Sequence, residues 1–173
     1  MQTRQGSQCG GSLISNRWVL TAAHCVLVQS HRDVRVDLGQ HDLYSATEAV
    51  LVRRYVAEIK INPDYNPDWH SHDLALLKLV DTLDWEKVPH VRPICLPQSK
   101  QSYAGYQAVV AGWGKTGTTE DTSRVLMDAH VQILSNDECK ASGHSDHYIF
   151  DSMMCATGDQ EREGACAGDS GAN

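Results

Sequence analysis

Three short segments of this chain hold residue types from which a nucleophilic hydrolytic site can be assembled. Leu20-Thr21-Ala22-Ala23-His24-Cys25 runs an apolar stretch into a histidine beside a cysteine. A rigidly held histidine is what a general base requires, because proton transfer depends on close hydrogen-bond geometry. Gly164-Ala165-Cys166-Ala167-Gly168-Asp169-Ser170-Gly171 flanks a serine with glycines. Small residues let the backbone turn sharply and aim N–H groups at one point, as an oxyanion site needs. His72-Asp73 stands before Leu74-Ala75-Leu76-Leu77-Lys78-Leu79, a stretch apolar enough to be a buried strand. An ionised carboxylate at its mouth is costly unless something hydrogen-bonds to it, and an imidazole is a suitable partner. Taken singly, each segment also has an ordinary reading: a satisfied structural histidine, a flexible Gly/Ser turn, an aspartate at a turn before a strand.

The elements that must carry these residues read as strands. Apolar runs recur at Trp18 to Ala23, Val34 to Leu38, Val50 to Ile61, Leu74 to Val80, Gln107 to Trp113, Val125 to Leu134 and Ser152 to Ala156. Their lengths, β-branched content and breaks (Asn62-Pro63, Asn66-Pro67, Gly112, Gly114) predict an all-β sandwich or barrel. One helix start is expected, at Ser135-Asn136-Asp137-Glu138. There the Ser135 hydroxyl accepts the Glu138 backbone N–H and the Glu138 carboxylate reaches back, forming a capping box. Val88 to Gly105, with Pro89, Pro93, Pro97 and Gly105, reads as a connector. With the crossover at 91–105, the chain divides into 1–90 and 106–173.

Composition narrows the function classes. The chain has 173 residues, 41% of them hydrophobic and 21% charged, which is enough to bury a core. A net charge of −7 with interspersed Lys and Arg gives no basic run of the kind that tracks a phosphate backbone, so no nucleic-acid partner is expected. No apolar stretch is long enough to span a membrane. The six cysteines, at 9, 25, 95, 139, 155 and 166, form no C-x-x-C pair. A disulfide framework, and hence an oxidising compartment, is expected in place of zinc ligation, and spacing alone leaves the pairing open. Gly114-Lys115-Thr116 fails as a phosphate loop, because the required earlier glycine falls at Val109. His70 and His72, like His144 and His147, have the spacing of a metal pair but read as solvated loop histidines.

Together these segments resemble the chymotrypsin/trypsin family of serine endopeptidases. The motifs stand in the family's order as Cys9-Gly10-Gly11-Ser12-Leu13-Ile14, Trp18 to Cys25, Asp73 to Leu79, Arg92-Pro93-Ile94-Cys95-Leu96-Pro97, Ala111-Gly112-Trp113-Gly114 and Gly168-Asp169-Ser170-Gly171. The resemblance implies two antiparallel six-stranded β-barrels with the active site between them. Ser170 would be the nucleophile, His24 the base and then the acid, and Asp73 the group that orients and charge-stabilises His24. The N–H groups of Gly168 and Ser170 would form the oxyanion hole, and Asp169 would take the ion pair that activation creates. Gly164 and Ala165 would line the P1 pocket. Relatives that cleave after Arg or Lys carry an aspartate where Gly164 stands, so chymotrypsin-like or elastase-like cleavage after apolar residues is expected.

The resemblance also implies disulfides Cys9–Cys25 and Cys139–Cys155. Cys95 would then be left to hold an activation peptide or upstream domain, as in a secreted, extracellular zymogen whose partners are protein substrates and protease inhibitors. No cofactor is expected. Gln40 stands where calcium-binding relatives carry a glutamate, so no calcium site is expected either. The family pattern continues beyond Gly171 with Gly-Pro and further strands, so the second barrel is expected to be truncated and the domain incomplete at both ends. Such a piece alone is expected to be inactive, and an inactive binding or regulatory protein, or a non-functional fragment, is the rival reading.

Overall fold

The computed structural model describes residues 1–3, 8–45, 51–98, 101–116, 121–142, 149–158, 164–165 and 167–172. Val50, His144, His147 and Cys166 lie outside them. The chain is nearly all β. Strands β1 (Gln2–Thr3), β2 (Ser12–Leu13), β3 (Trp18–Thr21), β4 (Val34–Leu38), β5 (Val52–Ile61) and β6 (Ala75–Leu79) form one antiparallel sheet in the order β1-β4-β5-β6-β3-β2. Strands β7 (Gln107–Gly112), β8 (Met127–Leu134) and β9 (Cys155–Gly158) form a second, in chain order. Between them, residues 91–98 and 101–105 contain no strand or helix. Among the described residues no helix is long and apolar enough to cross a membrane.

Period-two burial explains the first sheet. In β6, Ala75, Leu77 and Leu79 are buried and alternate with the half-buried Leu76 and Lys78. In β3, Val19 and Thr21 point the same way. With Val26, Val34, Val36, Val56, Leu83 and others they form one continuous core drawn from residues 13–91. Burying a leucine such as Leu77 is favourable by roughly 1.5–3 kcal/mol. β5 serves two neighbours, and a register shift between Val56 and Glu58 lets one end pair with β4 and the other with β6.

Strand limits depart from the sequence expectation at several ends, among them those of β3 and β9. β3 ends at Thr21, because the chain then turns, with the Val26 N–H donating to the Ala23 carbonyl at 3.0 Å. β9 begins at Cys155, not Ser152, since its register against β8 starts at Leu134↔Cys155. The two-residue strands β1 and β2 are too short to show any periodicity. The predicted capping box is present at Ser135, opening helix α1 (Asn136–Ala141).

The two sheets are joined away from the connector. The Leu43 N–H donates to the Arg124 carbonyl (2.9 Å) and the Leu126 N–H to the His41 carbonyl (2.8 Å). The Trp113 indole N–H also donates to the His41 carbonyl, at 2.9 Å. The Arg124 guanidinium closes this seam on the Asp42 carboxylate, with contacts of 2.7–3.0 Å.

Candidate active site

Sheet register brings the first two candidates together. β3 and β6 are antiparallel with Thr21 opposite Ala75, so the chain leaving β3 and the chain entering β6 emerge on one edge. His24 lies three residues beyond that pair and Asp73 two residues before it. They meet. Asp73 Oδ2 is 2.6 Å from His24 Nδ1, and Asp73 Oδ1 accepts the His24 backbone N–H at 2.9 Å. A carboxylate only accepts, so Nδ1 is the donor nitrogen, and the neutral ring has its lone pair on Nε2. Both oxygens of one carboxylate thus fix one residue, main chain and ring alike. The His24 and Asp73 side chains are 36% and 22% exposed, so the pair is reachable from solvent.

Behind His24 the chain is anchored by Ala22, Ala23 and Cys25, all buried, and by the Cys9–Cys25 disulfide. The Cys25 sulfur lies 3.6 Å from His24 Nε2. The second disulfide joins Cys139 of α1 to Cys155 of β9. Both pairings are those the resemblance implied.

Ser170 reaches the same edge by its backbone. Its carbonyl accepts the Gly10 N–H at 2.7 Å, and the Thr21 hydroxyl donates to the Gly10 carbonyl at 2.9 Å. Gly171 has φ 78°, and a Cβ there would overlap Thr21 Oγ1 and the Gly10 carbonyl. A Cβ on Gly10 would meet the backbone of Ala172. The serine segment therefore lies against the end of β3 in a contact only glycines permit. Ser170 is hydrogen-bonded to neither His24 nor Asp73 through its side chain. Serine–histidine contacts of this kind are often long before substrate is bound.

The preceding turn is fixed by the second sheet. Asp169 Oδ1 accepts the Gly114 N–H at 2.6 Å, and a Cβ on Gly112 or Gly114 would collide with that carboxylate. The Lys115 N–H donates to the Ala167 carbonyl at 2.9 Å. Between these contacts Gly168 takes φ 104°, a conformation glycine adopts without strain. Gly164 and Ala165 are exposed. Gly164 borders a cavity of about 230 Å³ shared with Gly112, Lys115, Met127, Asp128 and Asp169.

One further side chain, His70, flanks His24, and a second, Tyr65, touches His70. The His70 ring stands edge-on to the His24 ring, with centroids 5.8 Å apart, and the Tyr65 hydroxyl is 3.3 Å from His70 Nδ1. Burial, and then the charge of Asp73, pushes the Tyr65 phenol up, so it stays a neutral hydroxyl. The sequence paired His70 with His72 and did not single out Tyr65. The available signal was the repeated Asn-Pro-Asp, whose Asn62 and Asn66 side chains accept backbone N–H groups and turn this loop back toward the site.

The sequence profile described as Trypsin matches residues 1–172. The chain is 36% identical over 169 residues to serine proteinase stubble of Drosophila melanogaster, and 37% identical over 171 residues to a venom serine protease of Bombus ignitus. It is 34% identical over 174 residues to the proclotting enzyme of Tachypleus tridentatus. Each alignment covers 95% of this chain but only 21%, 46% and 46% of the respective relative, so the chain spans less than half the length of these proteins.

Proposed function

The chain belongs to the trypsin family of serine proteases, and from that premise we propose that its protein hydrolyses peptide bonds through a Ser170 acyl-enzyme. His24 Nε2 takes the Ser170 hydroxyl proton as the oxygen attacks the substrate carbonyl. The N–H groups of Gly168 and Ser170 hold the resulting oxyanion, and His24 returns the proton to the departing amine. Water then repeats the sequence on the ester. The observation that carries this reading is the double hold of Asp73 on His24, which sets the tautomer a general base needs.

We further propose cleavage after apolar residues. Gly164 itself offers no charge to pair with a basic P1 side chain, and a buried arginine without a partner is strongly disfavoured. The venom and clotting relatives, together with the two disulfides, support an extracellular setting. Cys95, exposed and outside any disulfide among the described residues, would tether an activation peptide or upstream domain. Protein substrates and protease inhibitors are the partners this reading requires.

A fluorophosphonate probe on the activated full-length protein tests the chemistry. Labelling is expected, with its loss in Ser170→Ala and His24→Ala. A protein that binds substrate but never labels would be a protease-like binding protein instead. A peptide panel tests the preference: Leu, Phe or Ala at P1 should exceed Arg and Lys in kcat/KM, and Gly164→Asp should shift the ratio toward Arg. Electrophoresis with and without reductant tests the tether, since one unchanged chain in both would exclude it.

A further inference from the structure

The imidazole assigned as general base has a second imidazole poised beside it. His24, His70 and Asp73 each present a ligating atom within 4.8 Å of the other two. Their rings stand 79° apart in a T-shaped arrangement. Histidine nitrogens are donors that borderline divalent ions of the late first row prefer, and a carboxylate behind one of them is the outer support such ligands carry. Zn–N bonds of about 2.0–2.1 Å on a tetrahedral ion place two ring centroids roughly 5 Å apart, so the observed 5.8 Å needs only a small turn of the exposed His70 ring.

The loop is built to hold His70 there. His70 and His72 have φ 51° and 54°, left-handed values that strain a non-glycine residue and persist only where surroundings over-determine them. Here they do. The Asn66 side chain accepts the N–H groups of Asp68 and Trp69, the Asn66 N–H donates to the Ser71 carbonyl, and the His72 N–H donates to Ser152 Oγ. The Tyr65 hydroxyl against Nδ1 orients the His70 ring and leaves Nε2 for a ligand, the outer support that metal-binding histidines have. Asp73 serves His24 in the same way. At 2.6 Å its oxygen is too close to Nδ1 for both to ligate one ion, whose ligands lie more than about 3 Å apart.

We propose that His24 and His70 form a binding site for a borderline divalent cation such as Zn²⁺, with Asp73 behind His24, and that occupation inhibits the enzyme. A bound ion takes the His24 lone pair that would otherwise accept the Ser170 proton. If it engages Nδ1 instead, it displaces Asp73 and spoils the tautomer, so either mode removes the base. The inhibition rests on the protease reading above, whereas the binding does not.

Calorimetry of ZnCl₂ into the chelator-treated full-length protein reads binding alone. One saturable site is expected, with affinity falling at least about tenfold in His70→Ala and unchanged in His72→Ala. His70→Gln repeats the test with a larger side chain, and circular dichroism confirms that each variant is folded. Absence of saturable binding, or wild-type affinity in both His70 variants, overturns the site. Fluorophosphonate labelling reads the consequence: Zn²⁺ should slow labelling of Ser170 in the wild type, chelator should restore it, and the His70 variants should need at least about tenfold more metal for the same slowing. Saturating Zn²⁺ that leaves labelling unchanged overturns the inhibitory role. A metal-free protein that never labels removes the protease reading, while the calorimetry still decides the site.

Discussion

The two sheets differ in how they hold what they contribute to the candidate active site. The first sheet surrounds a continuous core drawn from residues 13–91, and His24 and Asp73 leave it from paired strands, β3 and β6. The described part of the second sheet buries few apolar side chains, chiefly Val131 and, beside it, Cys139 of α1. Among the described residues, no buried apolar cluster carries the serine turn. It is pinned by main-chain contacts to Gly10 on one side and by the Asp169–Gly114 hydrogen bond on the other. One half positions chemistry by packing and the other by backbone approach, so substitutions in the two should fail differently.

The sharpest form of that contrast is at Asp73. Asp73→Asn keeps the shape of the pair but loses the charge and the tautomer. Activity is expected to fall by about 10⁴-fold, the magnitude this exchange has within the same protease family. Thermal unfolding should change little, since the carboxylate contributes nothing to the apolar core. Active-site titration followed by steady-state kinetics checks this. A loss below tenfold would mean that His24 is oriented by its backbone and disulfide alone.

Packing supplies the next test. Leu77 is 0% exposed at the centre of β6, and Leu77→Ala should cost about 2–5 kcal/mol. Val131, 3% exposed in β8, has few buried neighbours, and Val131→Ala should cost only about 1.5 kcal/mol. Denaturant unfolding of both variants measures the difference. Equal losses would show that the second half has a core as cooperative as the first.

Legibility in the sequence follows the same division. His24 and Asp73, 49 residues apart, could be read as partners because each adjoins an apolar run that reads as a strand, an imidazole suits a carboxylate there, and the motifs resemble those of a protease family. The Ser170 turn was legible from its glycines, which mark where backbone must come close. His70 was not, because its place beside His24 depends on two residues in the left-handed region, which histidine adopts only occasionally and no local pattern here marks. β1 and β2 were missed for want of length, and β9 was misplaced because its start is set by register with β8, a long-range property.

A smaller effect is expected at α1, the described helix of the second half. The Ser135 hydroxyl accepts the Glu138 N–H at 3.2 Å, and Glu138 returns a bond to the Ser135 N–H at 2.8 Å, which holds its carboxyl below the usual range. Ser135→Ala should cost about 1 kcal/mol. The Cys139–Cys155 disulfide ties this helix to β9, so loss of the cap should fray the first turn without detaching the helix. Hydrogen exchange should rise at Asp137 and Glu138 while the β9 amides stay protected. Increased exchange along β9 as well would make the cap, not the disulfide, the element that holds the edge.

The seam between the halves should show the smallest effect, and a pH-dependent one. Hydrogen bonds from Arg124, and then from the Tyr44 backbone, lower the Asp42 carboxyl from 3.8 to about 2. Because the folded value lies below the unfolded one, the unfolded chain takes up the proton first. The stabilisation is therefore full above the unfolded value and is lost as pH falls from about 4 to about 2. Trp113 reports on the seam directly, since its indole N–H donates to the carbonyl of His41, the neighbour of Asp42. Tryptophan emission of the wild type should shift between pH 4 and 2, whereas Asp42→Asn should show the shifted emission already at neutral pH and no further change in that window. The Arg124 side chain is 63% exposed, so about 1 M salt should weaken the pair and mimic part of the effect. Identical pH profiles in the two proteins would mean that the main-chain pairing of 41–43 with 124–126 holds the halves together without the charges.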